Sequence, residues 1–215
     1  LWTDSFAVCN FLSLAQLTGD RQFLDLALKL IDQVHHTLGR HRSDDSRSGW
    51  ISGLSNDEAE AHPTCGGLRI GKKLPERKVN EPLDDELEWD RDGQYFHYLS
   101  KWMHALDQAA RTLSNPQFNV WSKELAVKAY SSFTHVFNGV HQMYWKMSID
   151  LTRPLVLSMG QHDPLDAFIT TLQINSTTTP NLTDQLRELE QMVDRSNLNT
   201  TDPLGLGGLL CDAFR

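Results

Sequence analysis

Basic residues are in short supply in this chain: 20 lysines and arginines stand against 28 aspartates and glutamates, for a net charge of −8. A surface that tracks a nucleic-acid backbone or an anionic bilayer needs clustered cations in excess, so neither nucleic acid nor membrane is expected as a partner. Cations do gather at Arg40, Arg42 and Arg47 and again at Arg69, Lys72, Lys73, Arg77 and Lys78, but acids are interleaved with them. That pattern leaves room for an anionic small molecule. Cysteine is scarce as well: Cys9, Cys65 and Cys211 are odd in number and far apart, which is neither a disulfide framework nor a zinc spacing. The scarcity points to a reducing compartment and a cytoplasmic location. No apolar run approaches the ~20 residues of a membrane-spanning helix.

Some motifs are absent or incomplete. Gly66-Gly67-Leu68-Arg69-Ile70-Gly71 is glycine-rich, but it follows no clear strand and lacks the Lys-Ser or Lys-Thr ending of a phosphate loop, so no cofactor is assigned. His97 and His104 stand seven residues apart, the wrong spacing for the two-histidine helix of zinc proteases, and no metal is assigned. Asp90-Arg91-Asp92 lacks the nucleotide-binding context of a sugar transferase. Three Asn-x-Ser/Thr triplets, at Asn175, Asn181 and Asn199, fall in a stretch rich in Asn and Thr, and its composition accounts for them.

Helical periodicity fills much of the rest. Phe6 to Leu17 and Arg21 to His36 read as a hairpin of two helices joined at Thr18-Gly19-Asp20, with Gly39 ending the second. A second hairpin runs from Gly93 to about Leu113 and from Pro116 to about Phe137, with proline in its first turn. The two links align, Thr18-Gly19-Asp20-Arg21-Gln22-Phe23 on Leu113-Ser114-Asn115-Pro116-Gln117-Phe118, which is a weak internal repeat of the kind helical solenoids and toroids carry. Leu165 to Ile174 and Thr183 to Val193 form a third pair. Between these lie two irregular stretches, residues 39–89 and 138–164. The first holds Trp50, His62, Cys65 and Ile70, too much apolar and chemical content for disorder. The expectation is one all-α domain over residues 1–215, with six or seven helices. Both ends fall inside a helical pattern, so the chain reads as part of a longer protein.

The stretch from Glu88 to Leu106 draws most attention. Asp92 and Gly93 look like the cap and bend before a helix. Along that helix Phe96, Leu99, Met103, Leu106 and Ala110 form an apolar stripe, and Tyr95, Tyr98, Trp102, Ala105 and Ala109 an aromatic and small one. Gln94, His97, Lys101 and His104 form a polar stripe. A polar stripe flanked by aromatic rings suits an enclosed saccharide site, and equally a buried, hydrogen-bonded core helix. Carboxylates beside a cleft can serve as acid and base in glycoside hydrolysis, and histidines as acid and base near neutral pH. Glu88, Asp90, His97 and His162 are therefore the candidate catalytic residues. An acidic cluster ahead of a helix also stabilises its dipole, and that alternative stands for Glu88 and Asp92. Trp50, Arg69, Trp89, Tyr95, Lys101, Trp145, Asp150, Gln161 and Asp163 supply aromatic faces and bidentate polar groups for holding a substrate.

The hairpins with their Thr18-Gly19-Asp20 link, the long insertion after Gly39 and the Trp89 to Leu106 segment resemble the six-hairpin glycosidase-like (α/α) toroids. In texture they are similar to N-acylglucosamine 2-epimerase-like proteins and to uncharacterised members of the superfamily. The resemblance implies a double ring of about twelve helices, of which roughly half would be present, with a funnel at one end acting on a small saccharide by hydrolysis or isomerisation. No catalytic residue is carried over from it. The rival expectation is a non-catalytic helical-repeat protein whose loops bind a protein partner. The oligomeric state is left open by both.

Overall fold

The computed structural model describes residues 1–175, 180–193 and 198–215. The first glycosylation-like triplet extends outside them, at Ser176 and Thr177. Among the described residues the fold is mostly helical, with nine helices and two small sheets.

Helix α1, Trp2–Thr18, buries Ser5, Val8, Leu12 and Ala15, a spacing of three and four that keeps one face inward. It ends at Gly19, whose φ of 72° is the left-handed cap glycine favours. Helix α2, Gln22–Leu38, turns back and buries Ala27, Ile31, Val34, His35 and Leu38. The second long hairpin, α5 (Phe96–Leu113) and α6 (Pro116–Phe133), repeats this design closely. Ser114 takes the left-handed cap position at φ 51°, and Asn115 Oδ1 accepts from the Gln117 amide as Asp20 Oδ1 accepts from the Gln22 amide. The aligned links therefore have the same local cause: a left-handed residue ends one helix, and a short side-chain acceptor begins the next. Helices α7 (Asp163–Ile174), α8 (Thr183–Met192) and α9 (Pro203–Phe214) complete the set.

Packing follows a simple order. α1 lies on α2 and α5, α5 on α6 and α7, and α7 on α8 and α9. Thus α1, α5, α7 and α9 form a row, with α2, α6 and α8 against it. Trp102, Leu99, Leu106, Leu125 and Phe133 are fully buried where α5 and α6 meet their neighbours. Trp102 Nε1 donates to His35 Nε2 across 3.2 Å, tying α5 to α2, and burial pushes the His35 imidazole down to about 3, so it accepts as a neutral ring.

The all-α expectation is corrected by five short strands among the described residues, at 94–95 and between 134 and 156, of which residues 134–137 lie where the periodicity predicts helix. Residues 39–89 contain short helices α3 (Asn56–Ala61) and α4 (Asp85–Asp90). Strand β1 (Gln94–Tyr95) pairs antiparallel with β4 (Lys146–Met147), and β4 with β5 (Pro154–Val156). A hairpin of β2 (Thr134–Phe137) and β3 (Val140–Met143) turns at Asn138-Gly139, both at positive φ, the Asn-Gly pair that a two-residue turn needs. Helix α5 also begins later than its periodicity predicts, at Phe96 instead of Gly93. Pairing with β4 holds Gln94 and Tyr95 extended.

Asp92, read from the sequence as a helix cap, does different work. Its carboxylate is completely buried and takes Arg69 Nη1 at 2.9 Å, Arg42 Nη1 at 3.2 Å and the Gly71 amide at 2.9 Å. Arg69 continues to the carbonyls of Arg40 and Thr37. One carboxylate thus closes the long insertion onto the end of α2 and the start of β1. Gln94 performs a parallel task with an amide, accepting from the Leu68 amide and donating to the carbonyls of Gly66 and Ile149. Removing the carboxylate leaves the largely buried Arg69 guanidinium without an ion-pair partner, while Arg42 keeps Asp44. Asp92→Ala is expected to cost about 2–4 kcal/mol in urea unfolding, and a loss under 1 kcal/mol would show that the insertion closes without it.

Candidate functional site

A cavity of about 200 Å³ opens between the first turns of α5 and α7, the start of α1 and the inner face of α9. His97 and Lys101 reach it from α5, one turn apart. Asp163 and Asp166 come from the first turn of α7, Gln161 and His162 from the segment before it, and Trp2 and Trp145 form aromatic walls. Asp202, which caps α9, and Gly205, Gly208 and Asp212 within it make the remaining side. Six residues selected from the sequence, His97, Lys101, Trp145, Gln161, His162 and Asp163, are therefore brought together from three parts of the chain.

Three carboxylates dominate the electrostatics. Asp166 is buried and ionised, held below the usual carboxylate range. Burial opposes this, and it is overcome by Lys101 Nζ at 2.5 Å, the Ser100 hydroxyl and Arg215 Nη1 at 3.1 Å. Its two neighbours go the other way. Burial, helped by the charge of Asp166, pushes Asp163 up to about 7, and the same causes push Asp212 up to about 6. Asp163 Oδ2 and Asp212 Oδ1 are buried without a hydrogen-bond partner among the described residues. Such atoms need a reason, and groups that meet a ligand provide one.

His97 sits 3.9 Å from Asp163 through Nδ1, too far for a hydrogen bond. Burial lowers its imidazole to about 4, so the ring is neutral at physiological pH. It lies in an aromatic cluster, stacked on Tyr95 at 5.3 Å and Trp145 at 6.3 Å, with the Trp2 edge at 5.6 Å. The polar stripe of α5 does not face one space. His97 and Lys101 line the cavity, whereas His104 pairs with Gln173 of α7 at 3.1 Å and Gln94 pins the insertion.

The other selected residues lie elsewhere. Glu88 is buried but outside this cavity, paired with Arg77 at 3.1 Å and with Lys146 Nζ at 2.9 Å. Asp90 is exposed at the end of α4. The structure therefore does not bring Glu88 and Asp90 together with His97 and His162 in one cavity. Trp50 is buried under Arg40 within the insertion, and Arg69 serves Asp92. Asp150 pairs with Arg47 at 2.8 Å and accepts from the Ser148 and Thr152 hydroxyls. Trp89 is half exposed, its ring 5.0 Å from that of Trp145, and Tyr95 lies beneath His97. Both therefore support the wall without lining the cavity. Gln161 Nε2 donates to the Asn199 carbonyl and His162 Nε2 contacts the Leu198 carbonyl at 3.1 Å, so both tie α7 to the segment before α9.

No family model, curated protein or solved structure matches the chain.

Asp166, Asp212 and Arg215 escaped the sequence reading. Asp166 stands one turn beyond Asp163 in the same helical start, a spacing that places two carboxylates on one face. The other two lie at the far end of the chain, and nothing local marks them.

Because the native Asp163 holds its proton to about pH 7, against an ordinary value of 3.8, the native state binds that proton more tightly than the unfolded chain. The resulting stability is complete below about pH 4 and is lost as pH rises to 7. Asp163→Asn removes the titration while His97 and Asp212 remain in both proteins. The stability of the variant relative to the parent should therefore rise by about 3–4 kcal/mol between pH 4 and pH 8 in urea unfolding. A difference independent of pH would mean that Asp163 is ionised throughout.

Proposed function

We propose that the chain is a carbohydrate-active enzyme whose reaction centre is the α5–α7–α9 cavity. In this reading Asp163 is the proton donor and Asp212 the acceptor. The observation that carries it is three buried carboxyls in an aromatic-walled cleft: Asp166 is ion-paired with Lys101 and Arg215, and burial together with its charge raises Asp163 and Asp212. Acid–base work on a saccharide needs two groups whose environments separate their proton affinities around neutrality. Trp2 and Trp145 offer apolar faces for a sugar ring, and Lys101, His97 and His162 offer polar contacts for hydroxyls. In hydrolysis, Asp163 gives its proton to the glycosidic oxygen as the C–O bond breaks. Water adds to the anomeric carbon and loses its proton to Asp212. In isomerisation the same pair moves a proton off and onto one carbon.

The packing order supports an (α/α) toroid: α1, α5, α7 and α9 as consecutive members of an inner ring, α2, α6 and α8 of an outer one. The cavity then sits at the N-terminal ends of α1, α5 and α7, where helix dipoles favour developing negative charge. A protein-binding helical repeat is the second reading, favoured by the exposed Leu204, Leu206, Leu210 and Phe214 of α9.

Screening saccharides by tryptophan fluorescence and turnover tests the first reading. Asp163→Asn should lower turnover by ~10²-fold or more while leaving binding within about threefold, and Trp145→Ala should weaken binding about tenfold. Turnover in the parent should be bell-shaped, with its alkaline limb near pH 7 from Asp163 and its acid limb near pH 6 from Asp212. Full activity in Asp163→Asn, or the absence of binding to every sugar class, would overturn it.

A further inference from the structure

Away from this cavity, the turn after α3 and the outer helix α6 bring together three side chains of different chemistry. His62 closes α3, Cys65 follows three residues later, and Glu124 projects from α6. Their donor atoms, one nitrogen, one sulfur and one oxygen, all lie within 4.8 Å of one another. His62 Nδ1 is 2.6 Å from Glu124 Oε1, and Glu124 Oε2 is buried without a hydrogen-bond partner among the described residues. None of the three lines the α5–α7–α9 cavity.

We propose that His62, Cys65 and Glu124 form a binding site for a borderline-soft divalent transition metal, zinc above all. The donor set is one that zinc accepts in tetrahedral sites, whereas magnesium and calcium prefer oxygen donors alone. Bonds of 2.0–2.3 Å to a tetrahedral zinc require donor atoms about 3.5 Å apart, so modest side-chain rotation closes the triad. His62 is largely exposed, which leaves the fourth position to solvent.

The backbone under the triad is already fixed by bonds that do not involve the ligating atoms. Thr64 Oγ1 donates to the Trp121 carbonyl at 2.8 Å, Trp121 Nε1 donates to the Ala61 carbonyl at 2.8 Å, and the Cys65 amide donates to the His62 carbonyl at 3.2 Å. The turn is therefore held one helical turn from Glu124 before any ion arrives. Burial and the nearby Glu124 charge push the Cys65 thiol up to about 11, with Lys128 opposing, so without metal the sulfur keeps its proton. On binding, the S–H bond breaks, a sulfur–metal bond forms and the proton passes to the buffer; nothing is oxidised or reduced. The ion would join the long insertion directly to the outer helix.

The test uses the whole chain with its thiols kept reduced, titrated with Co(II) and then Zn(II). One equivalent of Co(II) should produce the near-ultraviolet sulfur-to-cobalt absorption and the intense visible bands of a tetrahedral thiolate site. Zn(II) should abolish both and raise Tm by about 5 °C at saturating concentration. Cys65→Ser should lose the charge-transfer band, the double variant Cys9→Ser/Cys211→Ser should keep it, and Glu124→Gln should weaken affinity at least tenfold. A band that is absent in the parent, survives Cys65→Ser, or depends on Cys9 or Cys211 would overturn the proposal. Should Cys65→Ser fail to fold by circular dichroism, unchanged affinity in Glu124→Gln would overturn it instead.

Discussion

The charge on Asp166 is the interaction on which the arrangement of the site depends. Taking a carboxylate out of water costs several kcal/mol, and this one is offset by a lysine, a hydroxyl and a guanidinium that converge on it. Ser100 and Lys101 are consecutive on α5, so the contact also fixes how α5 lies against α7. A shift of one residue along either helix would break both bonds. Burial, joined by the same charge, raises the proton affinity of Asp163 and Asp212, Asp163 the more strongly. Packing and acid–base character thus follow from one buried anion.

A second charge centre, Asp92, governs the long insertion, and the two centres meet through the aromatic wall. Lys146 Nζ donates to the carbonyls of Glu88 and Arg91 and lies 5.3 Å from the centre of the Tyr95 ring. Tyr95 in turn stacks beneath His97. Glu88 therefore bears on the site at one remove: by neutralising Lys146 it fixes the ring that backs the cavity imidazole. Its burial has a structural explanation in full, and the same holds for Arg69 and Asp150.

The helices and their pairing were legible because they depend on local signals. Period-3.6 burial, left-handed caps at Gly19 and Ser114, and short acceptors at Asp20 and Asn115 all act within a few residues. The Asn138-Gly139 turn was equally local, yet it lay in a stretch read only as irregular. What resisted reading was set at long range. Gln94 and Tyr95 are strand because β4 lies fifty residues on, and Asp92 is an ion-pair hub because Arg42 and Arg69 are folded back to it. The site divided the same way. His97, Lys101 and Asp163 stood out by stripe and by position before a proline. Asp212 and Arg215 acquire their places only when α9 is laid across α7, and Glu88 and Asp90 fall outside the cavity because acidity before a helix has several causes.

Helix α9 shows how far this dependence reaches. It carries Gly205, Gly207 and Gly208 within twelve residues, each costing about 1 kcal/mol of helical preference relative to alanine, and of its residues only Asp212 is buried. Little apolar surface holds it. Its attachment runs through Asp212 and, at its C-terminal cap, Arg215, which reaches Asp166, Thr170 and Gln173. One wall of the cavity is thus fastened by the groups that set the cavity's charge. Protonating Asp166 would release Lys101 and Arg215 and loosen that wall, so the shape of the cleft and the charge on Asp166 behave as a single variable.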